Sequence, residues 1–167
     1  MGSLAAGGAA AMGTGAFTSV EANRTVSVEV ADDSSAFLQL DPTLKSSEND
    51  VFASYTNGQL KLDFDETEAG GEGVNNEAVT KFDQVFKLQN HGTQPVNIWF
   101  EHDLPGVTFY RFDPDSNSLD GASNAKIGLQ EGAHMKIGIE IDTTVAGTDS
   151  DFSGSVTIHA DAENPNS

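Results

Sequence analysis

The chain contains no cysteine among its 167 residues. That absence excludes disulfide bonds, thiol catalysis and zinc or iron–sulfur sites that need cysteine ligands. Basic residues are also scarce, since eight Lys and Arg stand against 26 Asp and Glu, for a formal net charge of -18. A surface with this charge repels phosphate backbones and anionic lipids, so we expect neither nucleic-acid binding nor adsorption to a membrane surface.

The acidic residues are spread over nearly every loop and do not form a single tail. In molar salt the Debye length falls to about 3 Å, so most repulsion between such loops is screened. We therefore expect a protein adapted to high salt. Apolar residues make up 37% of the chain and include ten Phe, which is enough for a folded core.

Long hydrophobic runs are missing too, and the opening segment comes nearest to one. Residues 2–16 are small, mildly apolar and too short to span a membrane as a helix. Their composition is typical of the distal half of a secretory signal, with cleavage between Ala16 and Phe17. No Lys or Arg precedes the run, so the start lies upstream of Met1 or the segment is a flexible Gly/Ala tail. We expect export to the cell surface or beyond, with no membrane span in the mature form.

From residue 25 onward, apolar and polar residues alternate with a period of two, as in "TVSVEV", "QLKLDF" and "HMKIGIEID". Gly-, Asn- and Pro-containing turns separate these segments at short intervals, and no helical periodicity is sustained. The pattern predicts an all-β fold: a single jelly-roll-like β-sandwich of about nine short antiparallel strands. The sandwich domain is expected over residues 17–162, followed by a solvated tail over 163–167.

Several strands carry predictions about which side chains are buried. Leu60, Leu62 and Phe64 should share one inward face, and Trp99 should lie opposite the inward residues of its strand. Val85 interrupts the alternation of the segment "KFDQVFKLQN". The segment "VTFYRF" places aromatic residues on both faces of its strand.

Catalytic motifs are missing from the sequence. It contains neither an H-E-x-x-H pair nor a G-x-S-x-G elbow, and its histidines, His91, His102, His134 and His159, lie in four different segments. We interpret them as surface or turn residues and expect no enzyme.

One acidic loop has the spacing of a calcium site. Asp113, Asp115 and Asn117 alternate, and Asp120 follows closely, as oxygen ligands do at the start of an EF-hand loop. Position 6 is not glycine and position 12 is not glutamate, so a solvated hairpin loop is the alternative. Calcium is the single cofactor candidate, and otherwise none is expected.

Two features near the N-terminus concern modification and assembly. Asn23 begins the sequon Asn-Arg-Thr, a glycosylation candidate in an exported protein. Phe17 and Val20 are large apolar residues for which the pattern identifies no internal partner. A segment of this kind can add as a strand to the sheet edge of another subunit, or it can fold back on its own domain. The expected partners are therefore further copies of the chain or other cell-envelope proteins.

The order of several motifs resembles a haloarchaeal family, domain of unknown function 1102. The shared features are an "FTSVEA-x-R-x-V-x-V" start at Phe17–Val30, an "N-x-G-x-Q-x-V" turn at Asn90–Val96 and a "V-x-I-x-A-x-A" ending at Val156–Ala162. The segments "GTGAFTSVEA", "NGQLKLDFDE" and "VTKFDQVFKLQNHGTQPVNIWFEHD" also resemble the TasA/camelysin type of secreted β-sandwich. This resemblance implies export and a sandwich fold; TasA-like members form extracellular fibres, and camelysin was named as a metallopeptidase.

Two classes of function follow from these observations. The first is an exported structural protein of the surface or extracellular space, such as a filament subunit that assembles by N-terminal strand addition. The second is a divalent-metal-binding module, either a calcium-stabilised adhesin or a camelysin-like metallopeptidase. The sequence favours the first, because it contains no catalytic motif and its acidity is dispersed.

The charge predicts that folding depends on salt. Below roughly 0.1 M salt the Debye length exceeds about 10 Å, so acidic loops repel one another across the domain. We expect dialysis to low salt to weaken the β-type circular dichroism signal and molar KCl to restore it. An unchanged melting temperature between the two conditions would contradict adaptation to high salt.

Overall fold

The computed structural model describes residues 25–30, 38–44, 49–57, 59–64, 74, 77–124, 128–146 and 154–162. Within these ranges the chain forms ten β-strands, two four-residue α-helices and two short 3-10 helices. The strands are β1 (Thr25–Val30), β2 (Leu38–Asp41), β3 (Ala53–Thr56), β4 (Gln59–Asp63), β5 (Val79–Asn90), β6 (Val96–His102), β7 (Val107–Tyr110), β8 (Gly128–Leu129), β9 (His134–Asp142) and β10 (Gly154–Asp161). The helices are α1 (Pro114–Asn117) and α2 (Thr143–Ala146), with 3-10 turns at Asn49–Phe52 and Ala122–Asn124. Among the described residues no helix is long and apolar enough to cross a membrane.

The strands form two sheets, which confirms the predicted all-β class. One sheet has six strands in the order β3-β4-β1-β10-β6-β8, and the other has four in the order β2-β5-β9-β7. Every neighbouring pair is antiparallel except β1 and β10, which run parallel in the centre of the larger sheet. Parallel neighbours need a long crossover connection. Here the connection between β1 and β10 contains all the other strands of the domain.

The two sheets pack face to face through aromatic side chains. Phe100 of β6 stacks on Phe109 of β7, with ring centroids 4.7 Å apart, and lies 6.5 Å from Phe86 of β5. All three side chains are fully buried. Because β6 belongs to one sheet and β5 and β7 to the other, these contacts close the sandwich.

The predicted inward faces are confirmed where the structure describes them. Leu60, Leu62 and Phe64 are at most 2% exposed, and the alternate residues of β9 from Met135 to Ile141 are also buried. Trp99 lies on the opposite face, where its ring stacks on His159 at 4.7 Å.

The interruption at Val85 is a β-bulge in β5. Phe82 pairs with Ile139 and Phe86 with Ile137, so four positions of β5 oppose two of β9. The extra residues include Gln84, whose φ is 56°. The bulge turns both Val85 and Phe86 into the core, which explains why the alternation fails at this point.

The two sides of the sandwich differ in how their sheet edges are covered. On the β7 side, the main-chain N–H of Leu119 donates to the carbonyl of Phe109 at 2.8 Å, so the segment after α1 covers that edge. On the opposite side lie β2 and β3, joined by a hydrogen bond from the hydroxyl of Tyr55 to the carbonyl oxygen of Leu40. No described strand pairs with the outer edge of either β2 or β3.

Phe100→Ala tests the contact between the sheets. Removing a fully buried aromatic ring should lower the free energy of unfolding by roughly 3–5 kcal/mol, because the facing rings cannot fill the space. Chemical denaturation followed by circular dichroism measures this loss.

Phe112→Ala is the matched control, since the Phe112 side chain is 79% exposed. It should change the free energy of unfolding by no more than about 0.5 kcal/mol. Equal effects of the two substitutions would contradict the assignment of Phe100 to the core.

Candidate functional site

A cleft of about 350 Å³ lies on the four-stranded sheet, on the face turned away from the core. Its walls come from the bulge of β5, from β9, and from β7 with the two residues after it. We call it the sheet cleft, and its residues are Asp83, Gln84, Tyr110, Arg111, Phe112, His134, Met135, Lys136 and Gly138.

The floor of the sheet cleft is the ring of Tyr110, which lies across Gly138. A Cβ atom on Gly138 would come within 2.5 Å of the ring carbons Cε2 and Cζ, so the ring position requires glycine there. The Tyr110 hydroxyl donates to Oδ1 of Asp83 at 2.7 Å. One side chain from β7 therefore reaches across β9 to β5.

Tyr110 is 1% exposed. Burial, reinforced by the hydrogen bond to Asp83, raises the pKa of its hydroxyl far above the usual value. The hydroxyl therefore stays protonated at neutral pH and acts as a hydrogen-bond donor. This environment is unsuited to a base or nucleophile.

Two wall residues have uncommon backbone geometry. Gln84 has φ 56° and Phe112 has φ 72°, values in the left-handed region that bulky side chains seldom adopt. Such strain collects at functional sites, where the surrounding structure holds it in place. Phe112 combines this backbone conformation with a side chain that is exposed to solvent.

The sheet cleft contains side chains of both charges, since Arg111, Lys136 and Asp83 all line it. Of the five described Lys and Arg side chains, Arg111 and Lys136 line it. The guanidinium carbon of Arg111 lies 4.6 Å from the centroid of the Phe112 ring, and Nζ of Lys136 donates to Oε1 of Gln84 at 2.6 Å. The other three form ion pairs: Lys61–Asp63 at 2.6 Å, Lys81–Glu140 at 3.4 Å and Lys87–Asp41 at 2.9 Å.

A second hollow, of about 340 Å³, contains His102 and Asp120. The N–H of Leu104 donates to Nδ1 of His102 at 3.3 Å, so neutral His102 carries its proton on Nε2. That atom lies 3.3 Å from Oδ1 of Asp120 but without the alignment of a hydrogen bond. Asp120 itself accepts the main-chain N–H of Phe109 at 3.1 Å. The Asp120 carboxylate therefore holds the segment after α1 against β7.

The predicted calcium residues lie in two separate environments. The Asp113 carboxylate accepts the N–H of Asp115 at 2.9 Å and caps α1, while Asp115 is 87% exposed and lies 3.9 Å from Nζ of Lys81. Asn117 donates to the hydroxyl of Ser116. Asp120 points instead to Phe109. In the described part of the chain no group of three His, Cys, Asp or Glu could hold a metal ion, so calcium binding stays a prediction from the sequence.

The four histidines lie at separate places, as their sequence positions suggest. His91 bonds Gln39 at 2.7 Å, His134 lines the sheet cleft, and His159 stacks on Trp99. His102 differs from the expected surface position, because its side chain is only 8% exposed.

The remaining predictions fall on residues outside the described ranges. These are the cleavage position at Ala16 and Phe17, the strand-donating residues Phe17 and Val20, and the glycosylation candidate Asn23.

Sequence reasoning missed the sheet cleft, although two signals for it are present. A glycine inside a strand, as in "KIGIE", often marks a close approach by another group. The segment "VTFYRF" places Tyr110 on the face away from the core, directly across from that glycine. Neither signal identifies Asp83 as the residue that accepts the hydrogen bond from the Tyr110 hydroxyl.

These features define an all-β protein with two facing sheets and a small polar cleft on one of them. The chain belongs to the family described as "Protein of unknown function (DUF1102)", which it matches over residues 30–165. A search among curated proteins gives no match to the chain.

Gly138→Ala tests the close approach of the Tyr110 ring. The added methyl group must displace the ring and weaken its bond to Asp83, so we expect a loss of roughly 1–3 kcal/mol in the free energy of unfolding. Chemical denaturation gives the value. In a Tyr110→Ala background the same change should cost much less, since the obstacle is gone.

Gly128→Ala is the control, because its new methyl group would meet nothing closer than the Gln130 amide nitrogen at 3.8 Å. We expect little change in stability. If both glycine variants lose the same amount, the ring of Tyr110 is not the cause.

Proposed function

We propose that the protein is an exported structural protein of the cell surface or extracellular space, adapted to high salt, whose subunits assemble by adding an N-terminal strand to a neighbour. The observation that carries this proposal is the pair of sheet edges at β2 and β3, on one side of the sandwich, with which no strand of the described residues pairs. An exposed edge presents main-chain N–H and C=O groups that can pair with another strand.

The geometry of β3 suits a short donor. Three of its four residues, Ser54, Tyr55 and Thr56, are exposed. The apolar donor segment Phe17–Val20 also has four residues. The match in length allows the donor to pair along the whole of β3.

In this proposal the strand that is donated to a neighbour comes from the segment before β1. This strand is paired with β4 on one side and β10 on the other, so both of its own edges are used within its sheet. Residues 17–22 come shortly before β1 in the chain and are the candidates. A contact between different surfaces of two subunits need not close into a ring, so repetition gives a filament.

Charge limits how such contacts form. A net charge of -18 opposes association at low ionic strength. At one end of β2, hydrogen bonds from Thr43 and from Lys87 lower the pKa of Asp41 to about 2, so this carboxylate is ionised and paired with Lys87. Assembly by main-chain pairing in high salt agrees with both facts, since screening removes most of the repulsion. The alternative metal-binding module rests on the spacing of Asp113 to Asp120 alone.

Deletion of residues 17–22 tests strand addition. Electron microscopy of the exported parent at high salt and high protein concentration should show filaments, and the deletion variant should remain monomeric. Filaments that persist in the deletion variant would rule out donation by this segment. A parent that never polymerises would contradict the filament proposal itself.

Thr56→Lys tests the acceptor edge in the same assay. A lysine on a sheet edge blunts pairing with further strands, and Thr56 lies opposite the neutral Gln59, so this variant should assemble poorly while its fold is unchanged. Thr93→Lys adds the same charge at an exposed turn between β5 and β6 and should assemble like the parent. Equal assembly by both variants would exclude β3 as the acceptor.

A further inference from the structure

We propose that the sheet cleft binds one saccharide ring that carries a carboxylate, that is, a hexuronic acid unit. This inference stands apart from assembly, because it rests on described side chains of β5, β7 and β9 and uses neither the N-terminal segment nor the open edge. It assigns a ligand class to the cleft from its aromatic surface, its cations and its size.

Phe112 supplies a flat apolar surface. Phe112 is 79% exposed and has an uncommon backbone conformation, with φ 72°. Apart from the contact with Arg111, most of its apolar surface lies in water, so a ligand that covers the ring adds a hydrophobic contribution. The apolar C–H face of a pyranose ring fits one side of such a ring.

Arg111 supplies the partner for the carboxylate. The guanidinium carbon Cζ of Arg111 lies over the Phe112 ring, 4.6 Å from its centroid. A guanidinium group carries five N–H donors in a rigid planar fork. These donors can bind a carboxylate in a bidentate way beside the stacked sugar.

The remaining wall supplies hydrogen-bond partners for hydroxyl groups. The bulge presents Gln84, whose amide oxygen already accepts from Lys136, and Asp83, whose carboxylate is held by Tyr110. Each of these two exposed side chains is therefore oriented by a hydrogen bond before a ligand arrives. Such ordering lowers the entropy cost of binding.

The size of the sheet cleft and the charge of the surface around it narrow the range of suitable ligands further. A volume of about 350 Å³ lies at the low end for ligand sites and suits one or two sugar rings. A polyanion with closely spaced charges would be repelled by the surrounding acidic surface. A ligand with one carboxylate per ring gains the contact with Arg111 and meets less of that repulsion.

Nuclear magnetic resonance titration of the full chain with two probes tests the proposal. Methyl glucuronide carries the carboxylate, and methyl glucoside is its neutral counterpart. In molar KCl we expect shifts confined to residues of the sheet cleft, a Kd of about 1 mM for the glucuronide, and roughly tenfold weaker binding of the glucoside. No shift in the cleft at about 50 mM glucuronide overturns the proposal.

Three substitutions assign the roles of the side chains. Arg111→Gln should remove the preference for the glucuronide over the glucoside, and Phe112→Ala should weaken binding of both probes roughly tenfold. Lys81→Gln removes one positive charge from the same sheet outside the cleft and should leave both affinities unchanged. An equal loss in Lys81→Gln and Arg111→Gln would show that net charge, and not the cleft, attracts the sugar. Equal binding of the two probes by the parent would overturn the assignment of the carboxylate to Arg111.

Discussion

The stacking of Phe100 on Phe109 is the contact on which the rest of the structure depends. It joins the two sheets, and it also fixes the orientation of β7. Because neighbouring residues of a strand face opposite ways, a buried Phe109 forces Tyr110 to the outer face. The main-chain N–H and C=O of Phe109 meanwhile hold Asp120 and Leu119. One buried ring thus positions both the floor of the sheet cleft and the segment that covers the β7 edge.

The arrangement of the strands also determines where the charged side chains lie. Three described lysines lie on strands β4 and β5 and each pairs with a carboxylate, so they offset local repulsion within the sheets. Such partly exposed pairs are worth little individually, typically below about 1 kcal/mol. Arg111 differs because it lies just after β7 and stacks on an aromatic ring. The sheet cleft thus holds two of the five described Lys and Arg side chains, Arg111 and Lys136, beside the carboxylate of Asp83.

Alternation of side chains made the all-β class and the inward faces of β4 and β9 predictable, and the interruption of the alternation at Val85 coincides with the bulge in β5. Which strands lie side by side in a sheet was not predictable in this way. Nothing in the pattern of β1 or β10 indicates that they lie side by side in parallel, since period-two alternation is the same for either direction. The contact from Tyr110 to Asp83 joins residues 27 positions apart and depends on an unexpected bulge. Likewise, the spacing of the acidic loop could not reveal that Asp120 accepts an N–H from β7.

The sheet cleft and the open edge lie at different places on the sandwich, and this separation links the two proposals. The order β2-β5-β9-β7 places β2 at one border of the sheet, whereas Tyr110, Arg111 and Phe112 lie at the other. β2 pairs with Lys87–Asn90, beyond the bulge, so it does not cover Asp83 and Gln84. A filament built through the β2 and β3 edges would leave one cleft exposed on every subunit. A single site with a Kd of about 1 mM holds a sugar weakly, but many linked sites on one polysaccharide raise the effective affinity by about 10²–10⁴. Repetition along a filament therefore lets clefts of low individual affinity hold a polysaccharide, which a single cleft on a monomer would bind only weakly.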